Sequence, residues 1–313
     1  MATVPADLSD KPPGARPRLR PPELEDPLNR FIYHPLAARL ARMLARTPVT
    51  PNAVSIAGAL MVWVAAFAYT RIDWPAGVAL GLLFHCLWHV LDGADGDLAR
   101  MTGKASPFGE MVDGACDYAA HSLLYVALAA ALDDQLGIWA WLFGLAAAAS
   151  HSLQTNHSET QRRSYLWWAY GVPWIKHTKG AVQSIAPRGR LGLTFGWLVT
   201  HYLAVATRMA PWAPEMDGAV QAAASDPRRT ARIRRLVRRS WRGALVLEKA
   251  LGANPRTIIL GASMLLGSPI WFFLAETVAL NLLLIISIWY HNRVACRLAG
   301  RIADGGEGAV SNG

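Results

Sequence analysis

The chain has 313 residues, 53% hydrophobic and 17% charged, with a mean hydropathy of +0.21. So apolar a composition argues against a water-soluble globular protein of this size and for an all-α, polytopic membrane protein. The formal net charge of +9 suits either nucleic acid or the anionic inner leaflet of a membrane; apolar spans favour the leaflet, and no nucleic-acid-binding module is visible.

In chain order, residues 1–28 are rich in Pro and Arg and read as a disordered tail without the apolar core of a secretory signal. Residues 29–46 read as an amphipathic, juxtamembrane helix with Ile32, Leu36, Leu40, Met43 and Leu44 as its apolar stripe and Arg39, Arg42 and Arg46 between them. Thr47 to Asn52 breaks that helix, and Thr50 or Asn52 can cap the next. Apolar runs then predict spans at about 53–69, 75–91, 108–132 and 136–153, the second continuing helically to Arg100. Polar turns at 71–73 and 133–134 separate the members of each pair.

Residues 156–255 read as a cytoplasmic or interfacial helical insert. Tyr165, Trp167, Trp168, Tyr170 and Trp174 suit a membrane interface, and Leu191–Ala206 reads as a re-entrant, interfacial or packed helix. Between Arg228 and Leu251 a basic helix sets Ile233, Leu236, Val237, Trp241 and Leu245 against a crowd of arginines; it suits anionic lipid, an anionic substrate or plain solvent. Residues 256–300 are long enough for spans five and six with a turn at Gly267-Ser268-Pro269 or a break near Glu276, and residues 301–313 read as a second disordered tail. The domain order is thus 1–28, 29–155, 156–255, 256–300 and 301–313, with about six transmembrane helices. Cys86, Cys116 and Cys296 sit in or beside apolar runs and read as small core residues, not a disulfide framework.

Four acids stand out. Asp92 closes one apolar run, and Asp113 and Asp117 open another, where carboxylates are costly without a function or partner. Asp92 and Asp95 are i,i+3 neighbours, and Asp113 and Asp117 are i,i+4 neighbours, so each pair shares a helix face. Small residues lie beside them: Gly96, Ala99 and Gly109. Converging carboxylates with room for a ligand suit hard divalent cations, which prefer oxygen donors. The plainer alternative, acids pairing with Arg100 and Lys104 to pin two helices together, leaves the glycines unexplained. His85 and His89 stand one turn apart just before the acids, and read as packing groups or as ligands; His121 continues the stripe of Asp117.

Asp92, Asp95, Gly96, Ala99, Arg100, Gly109, Asp113 and Asp117 match every fixed position of D-x2-D-G-x2-A-R-x8-G-x3-D-x3-D. In this the chain resembles the CDP-alcohol phosphotransferase family, and Thr50-Pro51-Asn52 is similar to the turn before that family's first span. The resemblance implies that Asp92, Asp95, Asp113 and Asp117 bind two ions, Mg²⁺ or Mn²⁺, and that Asp117 is the base on the acceptor hydroxyl. Gly96, Ala99, Arg100, Gly109 and Asn52 would line the CDP pocket, Ser55 would approach it, and the reaction would join a phosphoalcohol group to an alcohol with release of CMP. It further implies a phospholipid-synthesising homodimer. Tyr118 follows Asp117 where many relatives carry Arg, which leaves the acceptor's charge open.

Arginine-rich flanks place the N-terminus, the acid-bearing ends of spans two and three, and the insert on the cytoplasmic face of a bacterial-type inner membrane. The partners expected are a CDP-alcohol, with CDP-diacylglycerol favoured, an alcohol acceptor and the lipid bilayer. Inositol-phosphate or choline/ethanolamine types, the latter using a soluble CDP-alcohol, are alternatives. An ion-binding transporter is a remote one, since its acids would spread near the midplane of repeated halves.

Overall fold

The computed structural model describes residues 21–173 and 190–307. Most of the N-terminal tail, Trp174 and the chain beyond Glu307 lie outside the described residues. Every regular element among the described residues is helical. They divide into two compact units, one built from residues up to Ala148 with Arg256–Leu274, the other from Ala149–Pro255 with residues from Ala275 onward.

In the first unit a π-helical turn, Asn29–Tyr33, leads into α1 (His34–Leu44). The amphipathic helix forms. Ile32, Leu36 and Met43 of the expected apolar stripe are exposed, and it is Ala37 and Ala41 that are fully buried. The cause is close approach: α1 packs on Gly93, where an added Cβ would lie 2.9 Å from that of Ala37. Only alanine fits so near a backbone. Val54, Ala94 and Leu98 complete this small core, with Leu40 and Leu44 at its edge.

Thr50 caps α2 (Pro51–Arg71), its hydroxyl accepting from the Ala53 N–H at 3.3 Å, and Pro51 supplies a first-turn residue that has no N–H to satisfy. Helix α3 (Ala76–Met101) returns against α2. Their junction is tight, because a Cβ on Gly77 would sit 2.6 Å from the Ala68 carbonyl oxygen and closer still to that of Ile72. Backbone cannot yield as a flexible side chain can. Gly77→Ala is therefore expected to cost about 1–3 kcal/mol and to lower the thermal unfolding midpoint in detergent; an unchanged midpoint would show that the hairpin has slack there.

Ser106 caps α4 (Pro107–Ala131), accepting from the Gly109 N–H at 3.1 Å. A single turn, α5 (Asp133–Leu136), precedes α6 (Ile138–Tyr170). Val62, Trp88, Leu124, Leu128, Leu132, Leu260 and Phe273 form the main core of this unit.

The insert boundary expected at residues 155–156 falls inside α6, which runs unbroken to Tyr170. Its second half is polar yet buried: Gln154, Asn156, His157 and Ser164 are almost inaccessible. Gln154 Nε2 donates to Asn281 Oδ1 at 2.9 Å, Asn156 Nδ2 donates to the Tyr202 carbonyl at 3.0 Å, and His157 Nε2 lies 3.0 Å from Ser287 Oγ. The second unit also contains α7 (Arg190–Met209), α8 (Ala213–Ala222), α9 (Pro227–Ser240) and α10 (Arg242–Ala250). The expected basic helix is thus two helices. Asp226 caps α9, and Ile233, Val237, Trp241 and Leu245 are all buried.

Helix α11 (Ala253–Leu265) ends at the expected turn, where Gly267 takes a φ of +82°. Beyond it α12 (Ile270–Leu274), a π-helical segment (Ala275–Ala279) and α13 (Leu280–Glu307) follow one another. There is no break at Glu276, and residues 301–307 of the expected tail continue α13.

Three helical stretches among the described residues are long and apolar enough to cross a membrane: Pro51–Arg71, Ala76–Met101 and Ile270–Ile302. The expected third, fourth and fifth spans form helices outside that set. Acids and histidine dilute α4, α6 carries tryptophan and polar residues, and α11 is only 13 residues long.

Candidate active site

The acid-bearing C-terminal end of α3 meets the first turns of α4 within the first unit. Carboxylate oxygens of Asp92, Asp113 and Asp117 all lie within 4.8 Å of one another. The two helices therefore bring together acids that are 21 to 25 residues apart in sequence. All three side chains are half-buried, whereas Asp95 is buried.

Asp95 is placed differently from the other three. Its Oδ2 accepts from Ser55 Oγ at 2.5 Å, and its Oδ1 accepts from the Gly96 N–H. It also lies in hydrogen-bonding reach of Asp113, as Asp117 does of Asp92. Ser55 comes from α2, one turn beyond the Thr50 cap, so the sequence break at residues 47–52 sets the phase of a helix that holds an acid 40 residues away.

Asn52 and Gly109 come together as well: Asn52 Oδ1 would lie 3.7 Å from a Cβ on Gly109. Thr50, not Asn52, makes the helix cap, which leaves the Asn52 amide directed at the start of α4. Arg100 folds over Gly96 and pairs with Asp97 at 2.5 Å. Gly96 and Ala99 are partly accessible on α3. Tyr118 is 70% exposed.

Trp88 is the residue that sequence reasoning missed. It is buried, and its indole N–H donates to Asp117 Oδ1 at 3.0 Å. It belongs to a layer of rings one or two turns deeper than the acids. His121 packs edge-on against it at 4.7 Å and donates through Nδ1 to the Asp117 carbonyl at 2.9 Å. His89 lies 4.5 Å away on its other side, with Nε2 2.9 Å from Thr257 Oγ1, and Tyr33 stacks on it at 4.8 Å. Of the two readings of His89, packing is the one these neighbours support. The only sequence signal for Trp88 is its position one turn before Asp92.

The donor set fits a hard divalent ion. It consists of oxygens, it carries negative charge, and it converges from two helices fixed by packing.

Comparison with known proteins agrees with this geometry. The family model for CDP-alcohol phosphatidyltransferase matches residues 48–186, which include every residue of the acidic cluster. The chain is similar to archaetidylinositol phosphate synthase of Pyrococcus horikoshii, 36% identical over 80 residues, which cover 25% of this chain and 40% of that protein. It is also similar to archaetidylinositol phosphate synthase of Aeropyrum pernix, 32% identical over 101 residues, 32% of this chain and 50% of that protein. The chain thus spans half or less of the length of these relatives.

Proposed function

We infer, from a chain whose residues 48–186 match the family model for CDP-alcohol phosphatidyltransferase, that it transfers a phosphoalcohol group, favoured as phosphatidyl from CDP-diacylglycerol, to an alcohol acceptor. The observation that carries this reading is the convergence of Asp92, Asp113 and Asp117 on one point.

In this reading Asp92, Asp95, Asp113 and Asp117 hold two ions, Mg²⁺ or Mn²⁺. When bound, such ions neutralise the pyrophosphate and make its β-phosphorus electrophilic. Asp117 takes the proton of the acceptor hydroxyl. The acceptor oxygen then bonds to the β-phosphorus, the bond from that phosphorus to the bridging oxygen breaks, and CMP leaves. Gly96, Ala99, Gly109 and Asn52 line the nucleotide pocket, where small side chains let the ligand approach the backbone, and Arg100 orients it. Ser55 fixes the rotamer of Asp95, and Trp88 that of Asp117, so that neither carboxylate has to be ordered during the reaction.

Trp88→Phe keeps the ring and deletes the donor. It is expected to lower kcat about tenfold with little change in KM, the pattern of an interaction needed in the transition state. A rise in KM at constant kcat would instead assign Trp88 to substrate binding.

The membrane placement, with the acids at the cytoplasmic face, and a homodimeric assembly belong to the same proposal. A second reading concerns the acceptor: both relatives are named as archaetidylinositol phosphate synthases, which favours an inositol phosphate. The test is CMP release by the purified protein in lipid with Mg²⁺ or Mn²⁺. CDP-diacylglycerol is offered with inositol, inositol phosphate, glycerol phosphate, serine or choline singly, and soluble CDP-alcohols with a lipid acceptor. Acceptor-dependent release names the reaction and the acceptor together. No release with any pair would overturn the proposal and return attention to an ion-binding role for the acids.

A further inference from the structure

The second unit holds a buried polar group that phosphotransfer does not use. His157 on α6 and Ser287 and His291 on α13 are at most 1% exposed. One hydroxyl bridges the two imidazoles: Ser287 Oγ lies 3.0 Å from His157 Nε2 and 3.1 Å from His291 Nδ1. The two rings meet edge to face, with centroids 5.3 Å apart. His291 also stands edge-on to Trp241 at 5.7 Å, and Trp241, between α9 and α10, meets Trp168 of α6 at 5.2 Å. One residue on from His157, Ser158 Oγ donates to the Glu248 carbonyl at 3.2 Å and so joins α6 to α10. Tyr290 lies against Gly243. The bridge thus sits where α6, α9, α10 and α13 come together.

The bridge accommodates two neutral imidazoles and no further proton. His291 Nδ1 lies 2.8 Å from the Ser287 carbonyl oxygen, which can only accept, so Nδ1 carries the proton and Nε2 is bare. The hydroxyl then donates to His157 Nε2, and the proton of that ring sits on Nδ1. Protonating His157 at Nε2 deprives the hydroxyl proton of its acceptor, because His291 Nδ1 already holds a hydrogen. Protonating His291 at Nε2 places an N–H where it has no partner among the described residues. Either way a buried donor is left unanswered beside a buried charge. The charged groups on the surrounding helices are turned to other partners. Glu159, Arg162, Arg163, Glu248 and Lys249 act on one another. Arg234 and Arg238 of α9 reach Gly171 and the Tyr170 ring, Arg293 of α13 lies over Trp289, and His151 of α6 faces Glu276. Burial, and then the neighbouring His291, push His157 from the ordinary 6.5 down to about 3.

We propose that the His157–Ser287–His291 bridge is an acid-sensitive latch of the second unit: while both imidazoles are neutral it clamps α6 and α13 around Trp241, and uptake of one proton opens that packing. The direction follows from where each form holds its protons. Below about pH 6.5 an exposed imidazole takes up a proton that buried His157 refuses, so the closed form has its full advantage above that value and loses it as pH falls. Between pH 6.5 and about pH 5.5 the opened fraction rises about tenfold through this one histidine. The latch is independent of how the acids of the first unit are read.

The test is hydrogen exchange, read by mass spectrometry on the full chain in nanodiscs from about pH 7.5 to about pH 5.5, with rates corrected for the intrinsic pH dependence of exchange. Peptides from α9 and α10 are expected to lose protection about tenfold over the last pH unit, while those from α2 keep theirs. In H157Q/H291N the amide nitrogens take the places of His157 Nε2 and His291 Nδ1 but do not titrate, and protection is expected to become flat across the range. His157→Gln alone is expected to remove the tenfold rise, which keeps the test open if the double variant does not fold. Ser287→Ala keeps both imidazoles and deletes the bridge, and is expected to weaken protection of the same peptides already at about pH 7.5. No pH effect in the parent, an equal effect in the glutamine variants, unchanged protection in Ser287→Ala, or α2 opening in step with α9 would each overturn the proposal.

Discussion

Asp117→Asn is expected to lower CMP formation by about a thousandfold, within the range that a positioned general base supplies. The substitution is close to isosteric, and the amide oxygen it introduces can still accept the Trp88 indole N–H, so the packing of α3 against α4 survives. What is lost is the site for the acceptor's proton and one anionic oxygen of a cluster that lies within 4.8 Å. The measurement is single-turnover CMP release at saturating metal and acceptor, beside the unfolding midpoint of the variant. A midpoint near that of the parent with activity within tenfold of it would remove Asp117 from the role of base.

Chelation is the second large effect. Stripping divalent ions with EDTA is expected to bring CMP release to background, with recovery on adding Mg²⁺ or Mn²⁺. Asp92→Asn is expected to weaken Mn²⁺ binding, read directly by calorimetry without substrates, by at least about tenfold, since even partners of metal ligands contribute that much. The two readouts separate the possibilities. Unchanged Mn²⁺ affinity in Asp92→Asn would take that residue out of the ligand set, and activity that resists chelation would end the metal-dependent proposal as a whole.

The acids were legible in the sequence because their chemistry is local. Two pairs, each with helical spacing, on runs otherwise apolar, leave little else for them to do. The Thr50-Pro51 helix start and the turn at Gly267 were legible for a similar reason, since caps and left-handed turns depend on a few adjacent residues. The bonds of Ser55 to Asp95 and of Trp88 to Asp117 were hidden, because the partners lie 40 and 29 residues apart and only packing sets the distance. The packed face of α1, Ala37 and Ala41, was not legible because hydrophobicity ranks leucine above alanine. Contact with Gly93 rewards the smaller side chain. The continuation of α6 beyond the apolar run at 136–153 was not legible, because Gln154, Asn156 and His157 look like the end of a span, yet they find polar partners.

The ring layer beneath the acids has a consequence for a chain that crosses a bilayer. The proposed reaction, which would gather ions, a nucleotide and a mobile proton at one end of a span, would open a wet, charged pit toward the hydrocarbon. Trp88, His89, His121 and Tyr33 would close its bottom with rings packed face, tilted and edge-on. In the proposed reaction, such a floor would favour return of the released proton to the side from which the substrates come.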